Sequence, residues 1–442
     1  MFRKSLIFLL VFIFSLLNTN LYAKTMYSLK DLCKIAKKNA LKIKIAEDDL
    51  SISKLEKKRA LSVLMPRLTA FGKKNKTFTK YDKQIPAIKM DNATDTETLG
   101  LKLDQSFTLN GKELIAFKVT KDQIKMNEYN LETTISNYMY EVSKAYFNIL
   151  TANKILDISR SDVKRLTNHR NSVKEKLKVG TLTKTALFRA EAELSKSKTN
   201  FVRIKNNFKL AKAFLKNLVD IDEDFFLIEN QDFNFDDFKI SFDELVTQAI
   251  NNRPELKSAE KILDIADKTI KYEKGAYWPK ISIQGTYTDN KINSDHDTMY
   301  KLYDSKTNAT IKTIEASFTF TLFDGGLRAA QIKQAIARKR QAKAALANTK
   351  NQIILESKRS WFEYKTAKST LKTLEDELKF ARENFDAVTM QFEYGLADSV
   401  SMMDADTLLV SAQRKLSEAE YAYILSTLDL IRIKGDLIKF ML

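Results

Sequence analysis

The side chains best suited to catalysis are scarce in this chain. His169 and His296 are its two histidines, and Cys33 is its one cysteine. His169 falls in a long helical stretch and His296 in a polar loop, and no paired carboxylates, metal-ligand cluster or phosphate-binding loop accompany them. Asp324 in "FDGG" is a further candidate, but the glycines beside it predict a turn residue. We therefore expect no enzyme, no cofactor and no metal centre.

The charge of the chain is strongly basic. Lysine and arginine number 74 against 56 acidic residues, which gives a formal net charge of +18. An excess of this kind is found in proteins that bind nucleic acid or acidic membranes. Here the lysines are dispersed and interleaved with Glu and Asp along predicted helices, which is typical of a solvated surface. We expect no nucleic-acid partner.

Residues 1–23 have the composition of a secretory signal peptide. Arg3 and Lys4 are followed by "LIFLLVFIFSLL", 12 apolar residues, and the segment ends on the small Ala23. Twelve residues are too few to cross a bilayer as a helix, although an uncleaved anchor is the alternative. No later apolar run reaches 18 residues, so the sequence predicts an exported protein without a membrane helix.

Helix-breaking residues are rare, with 10 glycines and 4 prolines in 442 residues, so each break is informative. "SLKDLC" and "SFDELV" each open a stretch in which 38 residues separate the serine from a proline. Two glycine-containing motifs follow each proline at nearly the same spacing. The landmarks are Pro66, Gly111 and Gly180 in the first half, and Pro279, Gly325 and Gly395 in the second.

The chain therefore contains two copies of one structural repeat. We predict a first structural repeat at 24–219, an acidic inter-repeat linker at 220–240 and a second repeat at 241–442. Each repeat consists of a helix, a break at proline, two strands, a glycine turn and a long helical hairpin. The long helices are predicted at 112–178 and 326–393.

The long helix of the second repeat has a heptad pattern of apolar residues. Its members are Leu371, Leu374, Leu378, Ala381, Phe385, Val388 and Phe392, and Leu409, Ala412, Leu416, Ala419, Tyr423 and Leu430 continue the pattern on the returning helix. In the first repeat Ser159 and Arg170 interrupt it. Gly180 and Gly395 are expected to end the long helices at positive φ. Thr181 or Thr183, and Asp398 or Ser399, are expected to cap the returning helices.

Four strands are predicted, at 67–79, 97–109, 280–290 and 311–323. Their faces alternate: Leu99, Leu101, Leu103, Phe107 and Leu109 share one face of the second strand, and Ile314, Ala316, Phe318, Phe320 and Leu322 share one face of the fourth. An apolar face of about ten residues suits a tilted membrane β-strand. Long polar loops at 80–96 and 291–310, and Tyr277 and Trp278 at the helix-to-strand junction, agree with a barrel at a membrane interface. A small soluble β-subdomain packed on the helices would show the same alternation.

Four strands cannot close a barrel, and lipid does not tolerate an open sheet edge. The membrane interpretation therefore requires three copies. The predicted fold is mainly α with a transmembrane β part: long antiparallel helical hairpins form an α-barrel, which joins a 12-stranded β-barrel shared by three protomers. Pro66, Pro279, Gly111 and Gly325 would mark the passage from helix to barrel.

This ordered set of features resembles the TolC family of outer-membrane efflux proteins. The doubled pattern of helix, proline and strand carries the resemblance, together with "FDGG", "KVGTLTKT" and "EYGLADSV", and it covers essentially the whole chain after residue 23. The resemblance implies a homotrimeric, passive exit duct in the outer membrane of a Gram-negative bacterium. Such a duct extends into the periplasm and serves a tripartite efflux or type I secretion system. A soluble periplasmic coiled-coil scaffold is the rival interpretation.

The resemblance also implies partners. In the family the hairpin tips contact a periplasmic adaptor, or membrane fusion protein, which connects the duct to an inner-membrane pump of RND or ABC type. The barrel contacts outer-membrane lipid. Carried over to this sequence, the adaptor contacts are Val179, Gly180 and Thr181 at one tip, and Tyr394, Gly395 and Leu396 at the other.

A pore constriction is implied just past the second tip, at Asp404, Ser401 and Phe392. Three copies of Asp404 would form a ring of negative charge that selects for cations and can hold a divalent ion. The chain departs from the family pattern nearby, because Phe392 and Ala397 replace a Tyr and an Arg that lock some members closed. Ala186 stands where the first repeat could supply an acid. A lock in this chain is therefore expected to be weaker or built differently.

Overall fold

The computed structural model describes residues 25–79, 91–221, 225–229, 241–297 and 305–442. These residues form two compact units. The first unit comprises the described residues up to Lys44, Thr133–Arg253 and Gln352–Leu442, and the second comprises Ile45–Glu132 and Pro254–Asn351. Each unit takes segments from both sequence repeats. The predicted signal peptide lies outside the described residues, as does most of the predicted linker.

Helices account for most of the described chain. They are α1 (Leu29–Asn39), α2 (Leu41–Ser62), α3 (Lys112–Lys178), α4 (Lys184–Val219), α5 (Phe242–Asn252), α6 (Pro254–Lys274), α7 (Leu327–Glu393), α8 (Ser399–Lys434) and α9 (Leu437–Met441). The two 67-residue helices, α3 and α7, match the predicted long helices within one residue. None of the helices in the described part of the chain combines the length and apolar character needed to cross a membrane.

The strands form two sheets. β1 (Thr25–Tyr27) pairs in parallel with β4 (Phe225–Leu227), which lies in the predicted linker, and Phe225 is 2% exposed. Glu229 just beyond β4 accepts a hydrogen bond from the Tyr421 hydroxyl at 2.8 Å and pairs with Lys154 at 3.2 Å. Part of the acidic segment is thus a side element packed on the helices of the first unit.

The second unit contains an antiparallel four-stranded sheet in the order β2-β3-β5-β6. Its strands are β2 (Arg67–Thr79), β3 (Asp91–Thr108), β5 (Lys280–Asp297) and β6 (Ser305–Thr319). The four predicted strands are confirmed, but the bounds of three of them, β3, β5 and β6, were wrong. β3 starts six residues earlier than 97 and β5 continues to Asp297, because ladder pairing extends through polar residues such as Thr94 and Ser294 that carry no apolar alternation.

The predicted loops are corrected accordingly. Residues 91–96, 291–297 and 305–310 belong to strands, while 80–90 and 298–304 lie outside the described residues. His296, predicted in a polar loop, lies in β5. β6 ends at Thr319, so Phe320 and Leu322 follow the strand instead of extending its apolar face.

The two faces of the sheet differ. Register places Leu68, Leu103 and Gly285 in one row, and Ala70, Leu101 and Tyr287 in the next, so the predicted apolar residues of neighbouring strands share one face. Leu99, Leu101 and Leu103 are 69%, 47% and 47% exposed. The opposite face is polar, with rows such as Thr69, Lys102 and Thr286. Nothing within this unit covers the apolar face among the described residues.

The heptad patterns of the first unit are confirmed. On α7 the predicted residues from Leu371 to Val388 are half-buried and Phe392 is buried. On α8, Leu409 and Ala412 are 5% and 0% exposed. The interruption at Ser159 on α3 is real, because its hydroxyl is buried and has no hydrogen-bond partner among the described atoms.

Candidate functional site

The two helical hairpins turn in the same way. α3 ends at Gly180 and α7 at Gly395, and both glycines have φ of +78°. The amide of Thr181 donates to the Lys176 carbonyl at 2.9 Å, and that of Leu396 donates to the Gln391 carbonyl at 2.8 Å. The amide of Gly180 donates to the Leu177 carbonyl at 3.1 Å, and that of Gly395 to the Phe392 carbonyl at 3.2 Å. Together these bonds define a Schellman motif at each helix end. We call residues 179–183 the first tip and 394–398 the second tip.

The returning helices are capped by one of the two residues predicted in each case. Thr183 accepts a hydrogen bond from the amide of Ala186 at 3.3 Å and caps α4. Asp398 accepts from the amide of Ser401 at 2.8 Å and caps α8. The side chain of Thr181 instead donates to the Lys176 carbonyl at 2.8 Å, which reinforces the end of α3.

Lys176 connects the ends of α3 and α7, just before the two tips. Its Nζ donates to the carbonyl oxygen of Phe392 at 2.6 Å and lies 4.3 Å from the centre of the Phe392 ring. A lysine near the last carbonyls of a helix satisfies acceptors that have no partner within the helix and offsets the negative end of its dipole. Lys176 on α3 therefore caps α7. The sequence analysis missed this contact, since no local pattern pairs residues 216 positions apart.

An apolar cluster packs behind both tips and includes all four helices. We call it the tip cluster; its buried members are Val173, Ala190, Phe392 and Met402, and Leu182, Ala186, Leu187, Phe385, Val388 and Ala397 pack against them. Phe392, Ala397 and Ala186, which the sequence analysis singled out as expected departures from the pattern it resembles, therefore lie together. The phenyl ring of Phe392 is buried in this cluster, 4% exposed, instead of projecting from an exposed helix face.

His169 on α3 borders the tip cluster. It is 4% exposed, its Nε2 lies 2.8 Å from the Ser399 hydroxyl, and its ring centre is 5.0 Å from that of Phe392. Burial, and secondarily the charge of Lys176, lower the pKa of His169 below its usual value. His169 thus joins α3 to the first turn of α8.

The outer surface of the tips is apolar. Val179, Tyr394 and Leu396 are 74%, 78% and 80% exposed, although each is a large hydrophobic residue. Exposed apolar groups that are close together on a soluble surface are typical of a protein-binding site. Gly180, Thr181 and Gly395, the other predicted contact residues, are also exposed.

Two of the three predicted constriction residues, Ser401 and Asp404, lie in the first turns of α8. Asp404 and Ser401 are exposed, and the Ser401 hydroxyl donates to the Asp398 carboxylate at 2.7 Å. Phe392, the third predicted residue, lies near the end of α7 and is buried in the tip cluster. Among the described residues, no three His, Cys, Asp or Glu side chains lie close enough together to hold a metal ion.

A buried polar group on the same helices was not predicted. Arg165 Nε on α3 donates to Asp406 Oδ1 on α8 at 2.5 Å, and Arg165 Nη2 lies 3.8 Å from Asp162 Oδ1. The hydroxyl of Ser197 on α4 donates to Asp162 Oδ2. We call these four residues the Asp406 cluster. Its signal in the sequence is an acid three positions before Leu409, on the apolar face of α8.

The breaks between helix and strand are in the second unit. α2 ends at Ser62 and α6 at Lys274, each before its proline, so Pro66 and Pro279 precede the strands and do not themselves end the helices. This corrects the predicted role of the prolines, and a short 3-10 turn at Gly275–Tyr277 fills the second gap. The Pro279 carbonyl accepts a hydrogen bond from the Leu109 amide at 3.1 Å.

Gly111 and Gly325 stand at turns with φ of +71° and +68°, as predicted. Asp324 is a turn residue as well. Its Oδ1 accepts from the Gly326 amide at 3.1 Å, and its Oδ2 accepts from Arg328 Nε at 2.6 Å. Both of these glycine turns lie directly before a long helix, α3 or α7.

Comparison with known proteins decides the family. The model of the outer membrane efflux protein family matches residues 36–219 and 245–436, which is most of the chain. The chain belongs to the outer membrane efflux protein family. Among characterised relatives, Outer membrane protein TolC of Salmonella enteritidis is 21% identical over 317 residues, which are 71% of this chain and 64% of that protein. Outer membrane efflux protein BepC of Brucella suis is 19% identical over 346 residues, 78% of this chain and 74% of that protein.

Solved structures have the same fold. The Campylobacter jejuni CmeC outer membrane channel superposes with a TM-score of 0.80 at 18% identity, covering 92% of this chain and 86% of CmeC. VceC of Vibrio cholerae superposes with a TM-score of 0.76 at 17% identity, covering 92% of this chain and 96% of VceC. The family assignment and these relatives establish an outer-membrane location for the chain. The TolC relative is matched over less than two thirds of its own length.

Proposed function

We propose that the chain is one protomer of a homotrimeric exit duct, through which an inner-membrane pump passes substrates across the periplasm and the outer membrane. The observation that carries this proposal is the sheet of the second unit. Among the described residues, β2 and β6 each pair with one neighbour, so both outer strands have an unpaired edge. Lipid does not accept unpaired strand edges, so pairing between copies is required if the sheet lies in the membrane.

The apolar face has the dimensions of a membrane band. It runs along β3 from Leu99 to Phe107. Before Leu99, at the other side of its edge, Glu97 and Lys74 form a charged row, with Lys74 Nζ 2.6 Å from Glu97 Oε1. Eight residue steps cover about 27 Å along a strand, or about 20 Å across a bilayer at a tilt of about 40°. Outer-membrane barrels have apolar bands of about 25 Å, and Tyr277 and Trp278, 47% and 56% exposed, stand at the edge of this one. Three copies of the four strands would close a 12-stranded barrel with the polar face inside.

The periplasmic end is proposed at the two tips. Val179, Gly180 and Thr181 of the first tip, with Tyr394, Gly395 and Leu396 of the second, would contact the periplasmic adaptor of an RND or ABC-type pump. Their exposed apolar side chains support this assignment. Asp404 and Ser401 would line the narrow entrance, and the buried Phe392 would contribute through the packing of the tip cluster. The duct does no chemistry of its own, and the pump supplies the energy.

The test is to measure the mass and the conductance of the native protein purified in detergent. Native mass spectrometry should give three chains, and planar bilayers should show discrete conductance steps that prefer cations. Asp404→Asn should keep the steps and lose the cation preference. A monomer that partitions with soluble proteins would refute the duct and favour the periplasmic scaffold.

A further inference from the structure

The Asp406 cluster joins three helices behind the tips. Asp406 on α8 is 2% exposed and bonds to Arg165 on α3, while Asp162 on α3 is 8% exposed and bonds to Ser197 on α4. Arg165 stands between the two carboxylates and also lies 5.8 Å from the centre of the Phe385 ring on α7. A single arginine thus contacts side chains from α3, α7 and α8.

An ion pair in this place is a poor way to gain stability. Removing charges from water is costly, and replacement of a buried ion pair by apolar residues is often neutral or stabilising. Apolar residues of the same helices lie beside the pair, since Leu166, Met403 and Leu409 are all buried. What a buried ion pair does provide is registry, because breaking it by sliding or rotating one helix leaves a charge without its partner.

The cluster controls the direction of the entrance residues through helix geometry. Successive residues of an α-helix are rotated by about 100°, so Asp404 lies about 200° around α8 from Asp406. Asp406 is buried against α3, and Asp404 is exposed. A rotation of α8 that moved Asp404 would also have to pull Asp406 away from Arg165.

We propose that the Asp406 cluster is a clasp that positions the first turns of α8, so that Arg165 and Asp406 set how far Asp404 and Ser401 project into the entrance. The proposal rests on the duct proposed above. Arg165 and Asp406 are positioning residues in it and do not themselves touch the transported substrate. Opening of the entrance requires the clasp to release.

The clasp has a pH signature. Burial raises the pKa of Asp406 to about 6 from 3.8, with Arg165 acting against this and Asp162 adding to it. A carboxyl group whose pKa is raised in the packed state favours that state below the raised pKa. If release returns Asp406 to its ordinary pKa, lowering the pH from 7.5 to 5.0 shifts the ratio of clasped to released protomers by about tenfold.

Other charged groups face the cluster. Asp162 and Asp406 line a cavity of about 780 Å³. The other charged residues that line it are Glu193, Lys196 and Arg203 on α4, and Arg414, Lys415 and Glu418 on α8. His169 on α3 titrates in the opposite sense, because burial lowers its pKa. The pH signature is therefore the difference between the wild type and Asp406→Asn, in which these other groups are unchanged.

The experiment compares single-channel open probability at pH 7.5 and 5.0 for the wild type, Asp406→Asn and Arg165→Gln. Asp406→Asn removes the charge at nearly constant shape. Acid should favour the clasped state in the wild type and not in this variant. We therefore expect the open probability of Asp406→Asn, relative to that of the wild type, to rise about tenfold from pH 7.5 to pH 5.0. Arg165→Gln leaves two buried carboxylates without their guanidinium and should raise open probability at pH 7.5. The double variant Arg165→Gln/Asp406→Asn should return it toward the wild type.

Two controls separate the clasp from other effects. Asp404→Asn should change cation preference and keep the wild-type pH response. Arg359→Gln removes an exposed ion pair within α7, with Glu363 at 2.7 Å, and should behave as the wild type. An Asp406→Asn protein with the wild-type pH response, or a double variant as open as Arg165→Gln, would overturn the clasp. Absence of conductance steps in every protein, including the wild type, would instead refute the duct and the clasp with it.

Discussion

The glycine at the second tip gives a prediction whose size follows from the structure. Gly395 has φ of +78°, and a Cβ added there would meet nothing within 4 Å. Gly395→Ala therefore introduces no steric clash, and its whole cost is that of placing an L-residue in the left-handed region, about 1–2 kcal/mol. This cost corresponds to a five- to thirtyfold change in the equilibrium between closed and frayed tip.

Hydrogen exchange measures this equilibrium directly. The amides of Leu396 and Ala397 both donate to the Gln391 carbonyl, at 2.8 and 3.2 Å, and fraying of the tip exposes them. In Gly395→Ala their exchange should accelerate five- to thirtyfold, while amides in the middle of α7 keep the wild-type rate. Gly395→Asn should show a smaller effect, since asparagine tolerates positive φ.

A contrasting glycine serves as the control. Gly435 has φ of +88°, and an added Cβ would lie 2.9 Å from the Cβ of Asn252. Gly435→Ala adds a steric clash to the same backbone cost, so it should destabilise its helix end more than Gly395→Ala does. Wild-type exchange at Leu396 and Ala397 in Gly395→Ala would refute the reasoning that positive φ requires glycine at the tip.

Two further predictions concern His169 and Gly100. The folded protein lowers the pKa of His169, so the contribution of this residue to stability is present above pH 6.5 and is lost as the pH falls below that value. Acid should therefore weaken tip packing more in the wild type than in His169→Gln. Thermal unfolding of both proteins at pH 7.5 and 5.5 measures this difference. A loss of equal size in both proteins would contradict this. A Cβ on Gly100 would lie 2.6 Å from the Phe71 ring, so Gly100→Ala should destabilise the sheet by about 1–3 kcal/mol, and Phe71→Ala in the same chain should relieve part of that loss. The unfolding temperature of each purified protein in detergent ranks the stability of the wild type, the single variants and the double variant. Additive losses in the double variant would show that the two side chains do not interact.

Local patterns in the sequence were sufficient for the two long helices and the four strands of the second unit, but not for β1, β4 or the divisions between α1 and α2 and between α5 and α6. The spacing of Gly111 and Gly180 bounded α3, and that of Gly325 and Gly395 bounded α7, within one residue. Few other breakers exist in the chain, so the ends of these two helices were readable from its glycines. The alternation of Leu99, Leu101 and Leu103 placed β3 and its apolar face, but not its start at Asp91, because strand pairing there depends on the backbone of the neighbouring strand.

Tertiary structure decided which residues of the candidate site come together. Ala186 lies 206 positions before Phe392 and 211 before Ala397 in the sequence, and only the packing of four helices gathers the three residues in the tip cluster. The same packing pairs Lys176 with the end of α7 and Arg165 with Asp406, across 216 and 241 positions. A helix end or a heptad pattern is fixed by neighbours within about seven residues, which the sequence displays. A buried polar contact depends on the rotation and register of two helices that meet only in the folded protein, so the sequence showed that Asp406 lies on an apolar face but not which charge it meets there.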